Sequence, residues 1–326
     1  MGDNKKQHVI PQFYLRGFSE DGKRLYQFSA KTREKHGVNI KDICTRNYFY
    51  DLPEDQNHVF EKFLSGVEDE QNRFLQSILF NVRNGRCNLN DRLTRHELIS
   101  LVLFMNTRGF SVRKTAVKNI TESLNHFLKL YSHSEIYKSK MEGYGSGIKY
   151  NPDAITAYVT KEGEAMWHLP LFEGLGPVAD FLCDNDFFHL IRIVRDKPVL
   201  WKNSFFTTDE PVRYESLVNQ TIFGTGLLSP GVVYIMPLAN DVLAVIGDDK
   251  YTEQMGFEKK YGITNLHTSN EYVTNECIKN YNTIIIQSSH DMVFSIDGNM
   301  TLPRLLLKNA NTAQIEDSEN DSSETE

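Results

Sequence analysis

From about His58 to Val82 the apolar residues recur at helical spacing. Phe60, Phe63, Leu64, Val67, Phe74, Leu75, Ile78 and Val82 fall on one side of a 3.6-residue period. So regular a stripe commits this stretch to a long helix with that side packed inward. Gly85 ends it. Thr94 and Glu97 then read as a capping box, the hydroxyl taking a first-turn amide and the carboxylate reaching back. The helix they open runs through Leu98–Met105 to about Arg108. Gly109 offers a break, and a third helix is expected from Val112 to near Tyr137.

Strand signals flank this helical block. Pro11–Phe18 reads as one or two helical turns opened by Pro11 and ended with the help of Gly17. Arg24–Ala30 alternates and, with a turn near Lys31–Glu34 and a strand near His36–Ile40, predicts a hairpin. Asn47–Tyr50 predicts a short strand. Gly143–Asp153, with its glycines and proline, predicts a lobe boundary or loop. Beyond it, helical character is expected at Trp167–Leu171 and over Val178–Leu190. Strands are expected near Ile191–Val194, Leu200–Phe206, Val232–Met236 and Val242–Ile246. A helix near Thr268–Tyr281 leads into Thr283–Gln287, whose β-branched run predicts a buried strand. The expected class is α+β: a helical N-terminal half with a β-hairpin, packed on a mainly antiparallel or mixed C-terminal sheet. The expected division is 1–142, a loop at 143–153, a second lobe at 154–310 and an acidic tail at 311–326, with 1–310 as one integrated domain the alternative.

Charge is segregated along the 326 residues. Residues 1–150 hold 24 Lys and Arg against 17 Asp and Glu, and residues 151–310 hold 12 against 20. The last sixteen residues add six acids and no base, which reads as a solvated extension with little to bury. The basic half is the part expected to meet a nucleic acid or another phosphate-bearing partner, although it contains no Lys/Arg block. The longest apolar run, Leu98–Met105, is interrupted by Ser100 and too short to cross a bilayer, and the first residues lack the apolar core of an export signal. A cytoplasmic location without membrane contact is therefore expected. The four cysteines, at 44, 87, 183 and 277, are too far apart for a Cys-x-x-Cys zinc knuckle and read as free thiols. Asp184-Asn185-Asp186 has the start of a calcium loop but neither its central glycine nor its closing glutamate. Phosphate-loop, nucleophile-elbow and HExxH patterns are absent from the sequence.

The order of short motifs is distinctive. Gln7-His8-x-x-Pro11-x-x-Tyr14-Leu15-x-x-Phe18 resembles the opening signature of a bacterial family of uncharacterised proteins, domain-of-unknown-function family 4238. Asn47–Tyr50, Glu61 and Glu68, Leu101–Arg113, Phe206–Val212, Met236–Leu238 and Asn275–Ser289 are similar to later pieces of that pattern, with Thr208 where a serine is usual. The likeness runs over roughly residues 5–295. It implies a family and no settled reaction, with defence or toxin roles suspected for some members.

Several of these residues could carry chemistry. His8 suits a general base or metal ligand, or a side chain that fixes the Pro11 turn. Glu61 and Glu68 lie two turns apart on one helix face, with Cα atoms about 10 Å from each other, so one shared ion would need both to lean in. Asp209 ends a predicted strand just before Pro211, where it can be an active-site acid or cap local amides. Arg108 and Arg113 suit phosphate contact. Tyr14 and Thr208 would complete the substrate side, and Tyr14 with Phe18 also suits a core. Three functional expectations follow. The first is a Mg²⁺- or Mn²⁺-dependent nuclease or phosphodiesterase-type effector of phage defence, with His8, Glu61, Glu68 and Asp209 as catalytic or metal-holding groups. The second is a non-catalytic binding module, and the third a toxin acting on nucleotides or translation. Oligomeric state is not legible.

Overall fold

The computed structural model describes residues 6–47, 49, 59–135, 174–196, 204–218 and 228–307. The helical block is present. α2 (Val59–Arg83), α3 (Arg92–Thr107) and α4 (Phe110–Ser132) follow one another after the short α1 (Gln12–Leu15). In α2 the inward side is Leu64, Leu75, Ile78, Leu79 and Val82, whereas Phe63 is 54% exposed. The apolar stripe is thus wider than the face that packs. α3 does not open on the Thr94–Glu97 box. It begins one turn earlier, with Asp91 as N-cap: its carboxylate accepts the Thr94 amide at 3.0 Å and the Thr94 hydroxyl at 2.7 Å. The threonine is a donor inside the first turn and not the cap. Asp91→Ala should lower the denaturation midpoint, while Glu97→Ala should change it little.

The strands form three sheets among the described residues. β1 (Lys6–His8) pairs antiparallel with β4 (Thr45–Asn47). The hairpin β2 (Arg24–Ser29) and β3 (Lys35–Asn39) is joined by β11 (Met292–Ser295) and β6 (Thr207–Thr208), in the order β3-β2-β11-β6. Residues almost at opposite ends of the chain therefore share one sheet. The largest sheet has the order β10-β5-β9-β8-β7, with β5 (Asp186–Val194), β7 (Arg213–Ser216), β8 (Val232–Ala239), β9 (Val242–Asp248) and β10 (Tyr261–His267). β10 runs parallel to β5 and the other neighbours are antiparallel, so the sheet is mixed and the class is α+β.

Both faces of this sheet are covered, which explains why β8 is buried throughout and reads as an unbroken apolar run. On one face Phe188, Tyr234 and Leu238 join Ile10, Tyr14 and Phe18 and the Leu98–Met105 side of α3 in a single core. Also on that side, α5 (Leu175–Asn185) contributes Ala179 and Leu182. On the other face Ile191, Ile235 and Val245 pack on Ile278 and Ile285 of α6 (Glu271–Gln287). The short α7 (Thr301–Leu306) follows β11. α2 is tied to the β8–β9 turn by a two-point Arg83–Asp241 pair at 2.6 and 2.8 Å.

Three expected boundaries change. Thr283–Gln287 is the last part of α6 and not a strand. Thr274, Ile278, Asn282 and Ile285 are buried at helical intervals, so packing against the sheet outweighs the strand preference of three consecutive isoleucines. The apolar helix expected through Leu190 stops at Asn185. Phe187–Leu190 are strand, hydrogen-bonded on one side to β9 and on the other to β10. Ser204–Phe206 are irregular and the ladder begins only at Thr207. Tyr48, Tyr50, Gly143–Asp153, Trp167–Leu171, Leu200–Asn203 and the acidic tail lie outside the described residues.

Candidate functional site

Arg108, at the C-terminal end of α3, is 2% exposed. Its Nε donates to the Val9 carbonyl at 3.0 Å, its other nitrogens to the His8 carbonyl and the Glu68 carboxylate, and its plane lies 5.2 Å from the Phe104 ring centre. The guanidinium thus fastens the segment after β1 to α2 and α3. The His8 imidazole faces Gln12 at 3.3 Å. Burial lowers its pKa, against smaller upward effects from the Lys41 backbone and the Glu68 charge, so the ring is neutral at pH 7. Glu61 stands on α2, but its side chain is outside the described residues.

Tyr14 is fully buried. Its hydroxyl donates to the Pro237 carbonyl at 2.7 Å and lies 2.8 Å from the Thr207 hydroxyl. The β8–β9 register shifts between Pro237 and Ala239, where a proline with no amide to give to the ladder is tolerated. Tyr14 is fixed at that irregularity, and burial raises its phenol pKa far above the ordinary value. Thr208 is also fully buried and closes a turn on Glu210, accepting its amide at 3.2 Å and donating to its carbonyl at 2.7 Å.

Asp209 has the most specific surroundings. Its carboxylate accepts the amides of His290, Asp291 and Met292 at 2.9, 2.8 and 3.1 Å, and its own amide donates to the Met292 carbonyl at 3.0 Å. One short side chain thereby fixes the entry to β11 beside β6. Burial raises the carboxyl pKa, while the three amides favour the charged form. The next residue, Glu210, accepts the Ser111 amide at 2.7 Å, capping α4 from another element. Gly109 leaves the room: a Cβ there would collide with the Glu210 carboxylate. Arg113 donates to the Phe49 carbonyl at 2.8 Å with its plane 4.4 Å from the Phe49 ring centre.

The seven candidate residues whose side chains are described therefore fall into separate groups. His8, Glu68 and Arg108 meet, Tyr14 joins β8, Thr208 and Asp209 organise the β6–β11 region, and Arg113 holds Phe49. Among the described residues no group of three or more His, Cys, Asp or Glu side chains is placed to hold a metal ion. The Asp209 oxygens, already directed at three amides, are poorly placed to donate to Mg²⁺ or Mn²⁺.

What the fold does assemble is a cleft of about 480 Å³. Its apolar lining includes Ile10, Val38, Ile43 and Phe294, and its charged lining the acids Asp42, Asp209 and Asp291 with the bases Lys31 and Arg46. Arg46 is exposed, and its guanidinium has no hydrogen bond or ion pair among the described residues. Lys31, 68% exposed, approaches Asp291 only at 3.9 Å, an exposed contact worth little. Cys44 sits in the cleft wall with φ of 52°, in the left-handed region unusual for a residue with a Cβ. Its carbonyl accepts the Val9 amide at 2.8 Å. Burial, and secondarily the Asp209 charge, raise the thiol pKa, so this is a neutral sulfhydryl and not an activated nucleophile. Sequence reasoning missed Lys31, Arg46 and His290 in this lining. They come from a hairpin turn, a strand and a loop far apart in the chain, and no local pattern marks them.

The family model described as Protein of unknown function (DUF4238) matches residues 6–145. That stretch is a DUF4238 region. It spans β1 through α4, including His8, Tyr14, Glu68 and Arg108, and the Arg46 side of the cleft. The similarities noted at Phe206–Val212, Met236–Leu238 and Asn275–Ser289 lie beyond it. Thus the DUF4238 region supplies one wall, and Asp209 and the β11 lead-in the other. No curated protein and no solved structure matches the chain. No helix of the described residues is long and apolar enough to cross a membrane.

Proposed function

We propose that the chain is a binding module whose cleft takes a small molecule with an apolar body and one anionic group. The observation that carries this reading is the Arg46 guanidinium, unpaired among the described residues, on a cleft of about 480 Å³ with an apolar wall, a size and lining typical of small-ligand sites. The signature residues act in this reading as its frame: Arg108 and Asp209 set the position of the backbone that forms the walls. The nuclease or phosphodiesterase reading, with its role in phage defence, draws on Lys31, Arg46 and Asp209 sharing this cleft, and makes different demands.

Calorimetric titration with octanoate and phenyl phosphate, and with octanol as the uncharged control, separates the two. A binding module should saturate with an anionic probe, and Arg46→Ala should weaken that binding about tenfold, or about 1.4 kcal/mol. Equal affinity for octanol, or an Arg46→Ala variant that binds as well as wild type, contradicts the proposal. A phosphodiesterase should turn over bis-p-nitrophenyl phosphate with Mg²⁺ or Mn²⁺, and Asp209→Asn should abolish turnover with an unchanged melting temperature.

A further inference from the structure

At the first residue of β5, away from the signature residues, Asp186 is 5% exposed, and its carboxylate has neither a hydrogen bond nor an ion pair among the described residues. Buried carboxylates are ordinarily paired, because an isolated charge is costly to desolvate. Asp186 lines a cavity of about 220 Å³ that also meets Phe181, Leu228, Pro230, Val232 and Asp248. The register of β5 and β9 puts Asp186 directly opposite Asp248, and like charges facing across a ladder repel.

The neighbouring acids have other engagements. Asp248 accepts the Gly231 and Lys250 amides at 3.1 Å each. Asp249 pairs with Lys260 at 2.9 Å, and Lys260 also donates to the Asp184 carbonyl at 3.2 Å. Asp184 in turn pairs with Arg92 at 2.8 Å. Lys250 stands at the cavity rim, exposed, with no ion pair to any of these acids among the described residues. The cavity therefore offers one buried, unanswered carboxylate against an apolar wall.

We propose that this cavity is a binding site for a small alkylammonium ion, with Asp186 as its counter-ion. A bare metal ion fits less well, since no three acids here are placed to share one and the apolar wall matches methylene groups better than a hydration shell. Burial, followed by the Asp248 and Asp249 charges and against the smaller effect of Lys260, raises the Asp186 carboxyl pKa to about 7. A bound cation would take over the role of that proton. This inference does not depend on the cleft near Arg46.

The test is a titration of the full chain with n-butylammonium chloride at pH 8, with n-butanol and calcium chloride as controls. Butylammonium should bind saturably and raise the melting temperature, and neither control should. Asp186→Asn should weaken binding about tenfold or more. Leu228→Arg, at an exposed position on the rim, should also weaken it by supplying a cation in cis, without disturbing the core. Ligand-free stability gives an independent readout. The folded carboxyl keeps its proton to a higher pH than the unfolded one, so wild-type stability should decline as pH rises toward and through about 7. Asp186→Asn should remove that decline. The proposal is overturned by an absence of saturable butylammonium binding, by equal binding of n-butanol, by calcium competing for the site, or by unaltered affinity in Asp186→Asn.

Discussion

Asp209→Ala is expected to destabilise the protein by about 3–5 kcal/mol. The methyl group leaves the part-buried amides of Asp291 and Met292, and the exposed amide of His290, without their acceptor, and an unsatisfied donor away from water costs about 1–3 kcal/mol. The loss propagates through the sheet, because β11 is the strand that joins β6 to the β2–β3 hairpin. Asp209→Asn keeps one oxygen acceptor but turns an amide nitrogen toward backbone N–H groups, and should cost roughly half as much. Guanidinium denaturation reads both as lower midpoints with an unchanged slope. An Asp209→Asn variant as stable as wild type would mean that the carboxylate is not needed by the fold, and would restore it as a candidate for chemistry.

Arg108→Met should be about as severe, on the order of 3–5 kcal/mol, since breaking a buried ion pair from one side strands the other partner. Here the stranded groups are the Glu68 carboxylate and the carbonyls of His8 and Val9. The thioether can replace the packing on Phe104 but none of the donors. Arg108→Lys should recover only part of the loss, because a single ammonium cannot serve three acceptors that a planar fork reaches together. Adding Glu68→Gln to Arg108→Met should return some stability, as Glu68 is only partly buried. The double-mutant cycle then isolates the pair from the two carbonyl contacts. If Arg108 instead served an external phosphate, Arg108→Met would be near neutral in stability and would affect only ligand binding.

These two residues show what the sequence can and cannot disclose. The helical period fixed α2 because it depends only on nearest neighbours along the chain, and alternation did the same for the β2–β3 hairpin. Thr283–Gln287 misled because three β-branched residues favour a strand locally, while their burial at helical intervals is decided by a sheet whose strands come from earlier in the chain. Asp91 is not evident in the sequence because two polar residues about one turn apart, Asp91 and Thr94, could each open α3, and the choice rests on where the first turn begins. The motif residues His8, Arg108 and Asp209 were visible as unusual, and Asp209 was legible even as an amide cap. Which amides it caps was not, since His290–Met292 lie some eighty positions on. The cleft was hidden altogether: Lys31, Arg46 and Phe294 share no spacing and meet only once β11 enters the hairpin sheet. Asp186 was seen only as part of an incomplete calcium motif, because its exceptional feature, burial without a partner, exists only in the folded chain.

The account rests on the Asp209 carboxylate being tied to main chain, so amide hydrogen exchange at residues 290–292 tests it most directly. In the wild-type protein these three amides should exchange slowly, at rates comparable to the β11 ladder. In Asp209→Ala they should become fast while amides in α3 remain protected. Rapid exchange at 290–292 in the wild type, or protection that survives Asp209→Ala, would contradict it.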